Sequence, residues 1–314
     1  MKPNIRIITV IRFTLTCVLL KFTKVLSSGC TCESIDSFQA LSDVLTSANE
    51  GDLIRLCPFD IEKVNSEEGI VLENMKDVHI QCAKEKREDV CMIRGVGNAG
   101  SSSIPYFEVF HLAQSESVTF QGFTFNGSKN GAIRASGTNF KIIDCIFEYC
   151  RSPVEKSGAI VEIMDTSSSA TIVDSVFREN IGGGIQNSGM LTVSHTLFKA
   201  NDSTPTWISN DETETRGGGS GSGILNREDG KLFLYHSDFV DNAADASGPA
   251  VFSYDTNAID LGSNCGTNNR VLQNLQEAPE TVTSRCDGIY YRYTNTSERK
   301  CATFGQECET STSR

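Results

Sequence analysis

Two aspartates and two histidines recur at one position of a repeat. Asp144, Asp174, His195 and His236 each lie three residues before a phenylalanine, namely Phe147, Phe177, Phe198 and Phe239, and Gly122 holds the same place before Phe125. If the repeating units stack, these side chains form a column with a step of about 4.8 Å. Carboxylates and imidazoles are the groups that supply acid, base or metal ligation near neutral pH. The competing explanation is structural: a bend prefers a short polar residue that bonds its own backbone. The other histidines, His79 and His111, have no such company and read as packing or surface residues. A second candidate is the insertion between Phe198 and Ile224, which carries Trp207, the only Trp, with Asp211, Glu212 and Glu214, followed by a Gly-rich return. Indole stacks on a sugar face, and clustered carboxylates suit calcium or a cationic partner. Apart from calcium, no cofactor is expected, and no metal centre.

The elements that would position these residues are short strands. Seven residues before the five phenylalanines stand Val118, Phe140, Ala170, Leu191 and Leu232, and five before stand Phe120, Ile142, Ile172, Val193 and Leu234. All ten are apolar, and the alternation marks a strand with one buried face. Three residues after the phenylalanines stand Ser128, Cys150, Asn180, Asn201 and Asn242. A second strand signal follows in each unit at Gly131-Ala-Ile133, Gly158-Ala-Ile160, Gly184-Ile185, Gly223-Ile224 and Gly248-Pro-Ala-Val251. Such units cannot bury themselves alone. Stacked, they give a solenoid with a phenylalanine stack inside and an asparagine ladder at a bend. Upstream, Phe38, Leu41, Val44, Leu45 and Ala48 have helical spacing behind Ser37 or Asp36 as N-cap, which predicts a helix over the open end.

The segments FQALSDVLTSANEGDLIRL and VDSVFREN, together with the asparagine ladder, resemble the right-handed parallel β-helix, or pectin-lyase-like, superfamily over roughly residues 35 to 262. The resemblance implies an all-β fold: one right-handed parallel β-helix with an N-terminal capping helix and a Cys-rich irregular C-terminal tail. It points to no specific enzyme family. Enzymes of this superfamily act mainly on polysaccharides. Neither the Asn-Thr-Asp segment of its polygalacturonase-like hydrolases, the Trp-Ile-Asp-His segment of its pectate-lyase-like members nor an Asp-Pro-His-Asp epimerase motif occurs here.

Residues 1–28 read as a signal peptide. Lys2 and Arg6 give a basic start, Phe13 to Leu20 a short apolar core, and Ser27 and Ser28 small residues for cleavage. That core is too short to span a bilayer. The leader's five cations take the remaining chain from −12 to −12 − 5 = −17. An acidic surface disfavours nucleic acid and anionic membranes. Secretion also fits the 12 cysteines, eleven of them beyond the leader. Cys82 with Cys91, Cys265 with Cys286 and Cys301 with Cys308 are the expected disulfides, with one thiol left over. Three sequons occur. Asn126 and Asn295 are expected to carry glycans, and Asn201 to be buried in the ladder.

These features divide the chain into a signal peptide (1–28), an N-terminal segment with capping helix (29–50), the β-helix (51–262) and a Cys-rich polar tail (263–314). The function expected is a secreted, non-enzymatic extracellular or cell-surface binding protein with a polysaccharide or surface ligand. The alternative is a polysaccharide lyase or glycoside hydrolase that uses the Asp144–His236 column.

Overall fold

A computed structural model describes residues 32–64, 68–84, 86, 88–96, 108–152, 159–203, 220–244, 247–271, 286–294, 299–305 and 308. The chain divides into two units, Met1–Cys32 and Glu33–Arg314, and every described helix and strand lies in the second.

Three parallel sheets run along a solenoid. The first contains Leu53–Leu56, His79–Cys82, Val118–Gln121, Asn139–Ile143, Ser169–Val173, Met190–Ser194, Lys231–Tyr235 and Ala258–Asp260. The second contains Phe59–Val64, Cys91–Val96, Phe123–Asn126, Ile146–Glu148, Val176–Arg178, Leu197–Lys199, Asp238–Val240 and Cys265–Thr267. The third runs from Ile70–Glu73 through Phe110–Ala113, Ile133–Ser136, Val161–Ile163, Ile185–Asn187, Ile224–Asn226 and Val251–Tyr254 to Gly288–Arg292, and Arg299–Thr303 closes it antiparallel. Each coil contributes one strand to each sheet in turn, which is a parallel β-helix.

The register matches the sequence repeat. Val118, Phe140, Ala170, Leu191 and Leu232 pair across successive coils, as do Phe120, Ile142, Ile172, Val193 and Leu234. One third-strand assignment is off by a residue: Val161, not Ile160, pairs with Ile133 and Ile185. Both are fully buried, so hydrophobicity alone does not choose between them.

Inside, Phe125, Phe147, Phe177, Phe198 and Phe239 stack with ring centroids 4.9, 4.5, 5.0 and 4.7 Å apart. Beside them runs the amide ladder. Asn180 Nδ2 donates to Asn201 Oδ1 at 2.9 Å and to the Phe147 carbonyl at 3.0 Å. Asn201 repeats this with Asn242 and Phe177, and Asn242 with Asn269 and Phe198. These buried amides satisfy bend groups that would otherwise cost about 1–3 kcal/mol each. The sequon residue Asn201 is completely buried, as expected.

The helix α1 (Phe38–Thr46) starts where Ser37 Oγ accepts from Ala40 N–H at 3.2 Å. Its Phe38, Leu41 and Leu45 join the same core as Leu56, Ile61 and Ile70. The helix therefore covers the apolar cross-section of the first coil. No helix among the described residues is long and apolar enough to cross a membrane.

The solenoid continues beyond residue 262, where the sequence repeat fades. Asn269 extends the ladder to Asp287 Oδ1 at 3.0 Å, and Phe304 stacks on Phe239 with centroids 5.4 Å apart. The repeat is hard to see here because Gly266 occupies the phenylalanine position opposite Phe239.

Cys82 pairs with Cys91 as expected. The other two bonds join Cys265 to Cys308 and Cys286 to Cys301, not Cys265 to Cys286 and Cys301 to Cys308. The antiparallel pairing of Tyr290 with Cys301 brings the last strand back beside Cys286, and Cys308 N–H donates to Thr267 Oγ1 next to Cys265. Cys32 and Cys57 are also disulfide-bonded. Cys145 and Cys150 are free and buried, so two thiols stand unpaired among the described residues rather than one. Burial pushes each thiol up to about 12, which makes them packing groups rather than nucleophiles.

Candidate functional site

The Asp/His column exists, and its position explains its composition. Asp144, Asp174, His195 and His236 sit on the bend from the first sheet to the second, on four successive coils. All four have left-handed backbone, with φ of 51°, 52°, 50° and 49°, and Gly122 has 80°. Glycine, Asn, Asp and His are the residues enriched in that conformation. The four side chains are exposed. Asp144 is held by Lys84 Nζ at 3.0 Å. A hydrolase needs two carboxyl groups on opposite sides of a glycosidic bond, roughly 5–10 Å apart. Here the two aspartates are neighbours on a single exposed ridge, one coil apart, rather than placed across a cleft from each other.

Next to this ridge lies the outward face of the first sheet. One outward column runs Lys141, Thr171, Thr192, Phe233, Ile259 in paired register. A second runs Ile143, Val173, Ser194, Tyr235, in which Ser194 is buried and the others are half-buried. Toward the C-terminal end this face turns apolar and aromatic. Phe233 and Tyr235 are half-buried, while Met190, Ile259 and Leu261 are 49, 45 and 57% exposed. Tyr235 packs edge-on against both histidines, at 6.0 Å from His195 and 5.8 Å from His236. The histidine rings stack on one another, with centroids 5.0 Å apart and planes within 8°. Large apolar groups concentrated on a sheet face, beside hydroxyls and polar tips, are the groups that would gain most from being covered.

The sequence reading missed Phe233 and Tyr235. A signal was available in Leu232-Phe-Leu-Tyr235, where four apolar or aromatic residues run without a polar one. Period-2 alternation puts Leu232 and Leu234 inside, so Phe233 and Tyr235 must face outward.

The remaining expectations fall elsewhere. Trp207, Asp211, Glu212 and Glu214 lie outside the described residues, as does the sequon Asn295. Asn126 is half-buried at the end of a second-sheet strand, and its Nδ2 donates to Glu148 Oε1 at 2.8 Å. Glu148 is also gripped by Arg178 through Nε at 2.8 Å and through its second guanidinium nitrogen. His79 Nε2 bonds Gln121 Oε1 on the neighbouring strand at 2.9 Å, and His111 Nδ1 bonds Glu108 Oε1, three residues away, at 2.6 Å. Asp238, Cys265 and Cys308 converge, but the two sulfurs are joined to each other and supply no thiolate.

No protein-family model and no curated protein sequence matches the chain. The likeness that stands is architectural, a parallel β-helix, and this fold hosts many unrelated functions.

Proposed function

We propose that this chain is a secreted, non-enzymatic binding protein that presents the C-terminal part of its first sheet to an extracellular polysaccharide or cell-surface ligand. The observation that carries this reading is the aromatic face: Phe233 and Tyr235 outward on one strand, flanked by Ile259, Leu261 and the His195–His236 ridge. Aromatic rings take the C–H faces of pyranoses, and Thr171 and Thr192 lie in line to meet hydroxyls. A scaffold in which every coil is hydrogen-bonded to the next holds such a face without reorganisation, which lowers the ordering cost of binding. The hydrophobic leader and the oxidised cysteines support an extracellular setting.

The side-by-side placement of Asp144 and Asp174 on one exposed ridge supports binding over turnover. The test is a glycan array combined with a polysaccharide degradation screen on the secreted protein. Binding without new reducing ends or unsaturated products is the expected result. Product release that disappears in Asp174→Asn and His195→Asn would establish a lyase or hydrolase instead.

A further inference from the structure

Beyond glycan contact, the ridge holds a second chemistry. His195 and His236 occupy the same position of adjacent coils, each directly after one of the paired strands Met190–Ser194 and Lys231–Tyr235. Their rings are parallel within 8° and 5.0 Å apart, and both are exposed. Their backbones share one left-handed conformation, with φ of 50° and 49°, so both side chains leave the bend in the same direction. Of the four histidines in the chain, only these two meet each other. Among the described residues, neither is tied by a hydrogen bond to a carboxylate, in contrast to His111 with Glu108.

We infer that His195 and His236 form a two-imidazole site for a borderline divalent transition-metal ion such as Zn²⁺ or Cu²⁺. Two imidazole nitrogens on one tetrahedral ion at about 2.0 Å stand about 3.4 Å apart. Stacked rings aim their in-plane lone pairs along parallel lines 5.0 Å apart, so besides closing that gap each imidazole must turn by roughly 50° to face one tetrahedral ion, a rotation that the broad χ2 torsion of an exposed histidine allows. The rigid ladder fixes the two attachment points, so the ion does not have to order the backbone. The remaining coordination positions are open to water or to an incoming ligand. Imidazole selects borderline ions over calcium, which prefers oxygen donors, so the site is distinct in kind from any carboxylate site on this acidic chain.

The test is calorimetric titration of the oxidised mature protein with ZnCl₂ and with CuCl₂ at pH 7.5 in a non-chelating buffer, repeated with millimolar CaCl₂ present. One equivalent should bind, and calcium should not displace it. His195→Asn and His236→Asn should each weaken it at least tenfold. Asparagine tolerates the left-handed backbone, so neither variant strains the bend. His79→Asn and His111→Asn should leave it unchanged. Histidine acylation by diethyl pyrocarbonate offers a second readout on the unaltered protein: Zn²⁺ should protect His195 and His236 and leave His79 and His111 as they were. No binding by the unaltered protein, binding that survives both ridge variants, or acylation of the ridge unaffected by Zn²⁺ would overturn the site.

Discussion

At positions 144, 174, 195 and 236 the backbone asks for a residue that tolerates positive φ, and aspartate and histidine answer that demand. A column that looks like acid–base chemistry in the sequence is thus first a column of bends. The spacing and the alternative of a bend were legible, but the choice between bend and catalysis was not, because φ cannot be read from residue type when aspartate and histidine also serve catalysis. The distinction is measurable. Asp174→Gly should leave stability within about 0.5 kcal/mol or raise it, whereas Asp174→Val should cost about 1–2 kcal/mol, because a β-branched residue is strained in the left-handed region. Chemical denaturation of both variants checks this, and an equal loss in the two would contradict the backbone explanation. Asp165 shows a different residue-level device. Burial works against its charge, but hydrogen bonds from Ser167, Ser136, the Gly137 N–H and Ser168 outweigh it and hold the carboxyl down to about 2. Its folded pKa lies below the ordinary value of 3.8, so its stabilisation is present above pH 3.8 and lost as pH falls through about 2. Asp165→Ala should therefore flatten the stability–pH curve between about pH 4 and pH 2. A curve parallel to that of the unaltered protein would contradict this role.

The strands are too short to be stable alone and draw their stability from stacking. The phenylalanine stack shows why the repeat could be found from sequence. Phe147 and Phe177 face each other in register and are fully buried, so one residue type recurs in nearly every coil. Phe177→Ala removes a ring sandwiched at 4.5 and 5.0 Å and should cost about 3–5 kcal/mol in thermal or denaturant unfolding. A loss below about 1 kcal/mol would place Phe177 outside the core. Where stacking uses a residue from elsewhere in the chain, the sequence signal fails. Phe304, just past the strand Arg299–Thr303 and far downstream of the Gly266 coil, meets Phe239, and no fixed spacing announces it. The disulfides were obscured for the same reason. Cys265 and Cys308 are 43 residues apart and meet only because the last strand turns back antiparallel. Cys82 and Cys91, nine residues apart, were legible as neighbours.

At the scale of the molecule, one solenoid extends from the helix at Phe38–Thr46 to the antiparallel strand Arg299–Thr303. The C-terminal segment thus closes the fold rather than trailing from it. A chain ended after Gly262 would lose Asn269 and Asp287 from the ladder, Phe304 from the stack and the edge-covering strand. It should lose cooperative unfolding or aggregate through its open edge, whereas a truncation that melts like the full mature chain would show that the segment is dispensable. The same continuity makes the outward face of the first sheet a rigid strip whose polar part, Lys141, Thr171 and Thr192, passes into the aromatic part at Phe233 and Ile259. Composition weighs against nucleic acid as a partner, but it could not locate this face, because aromatic residues on a strand read equally as core. The most direct measurement is affinity electrophoresis of the mature protein through gels carrying neutral or acidic polysaccharides, run beside the Phe233→Ala/Tyr235→Ala double variant. Retardation by at least one polysaccharide, lost tenfold or more in the variant at an unchanged melting temperature, is the predicted result; equal retardation of the two proteins, or none in any gel, would contradict a binding function for this face.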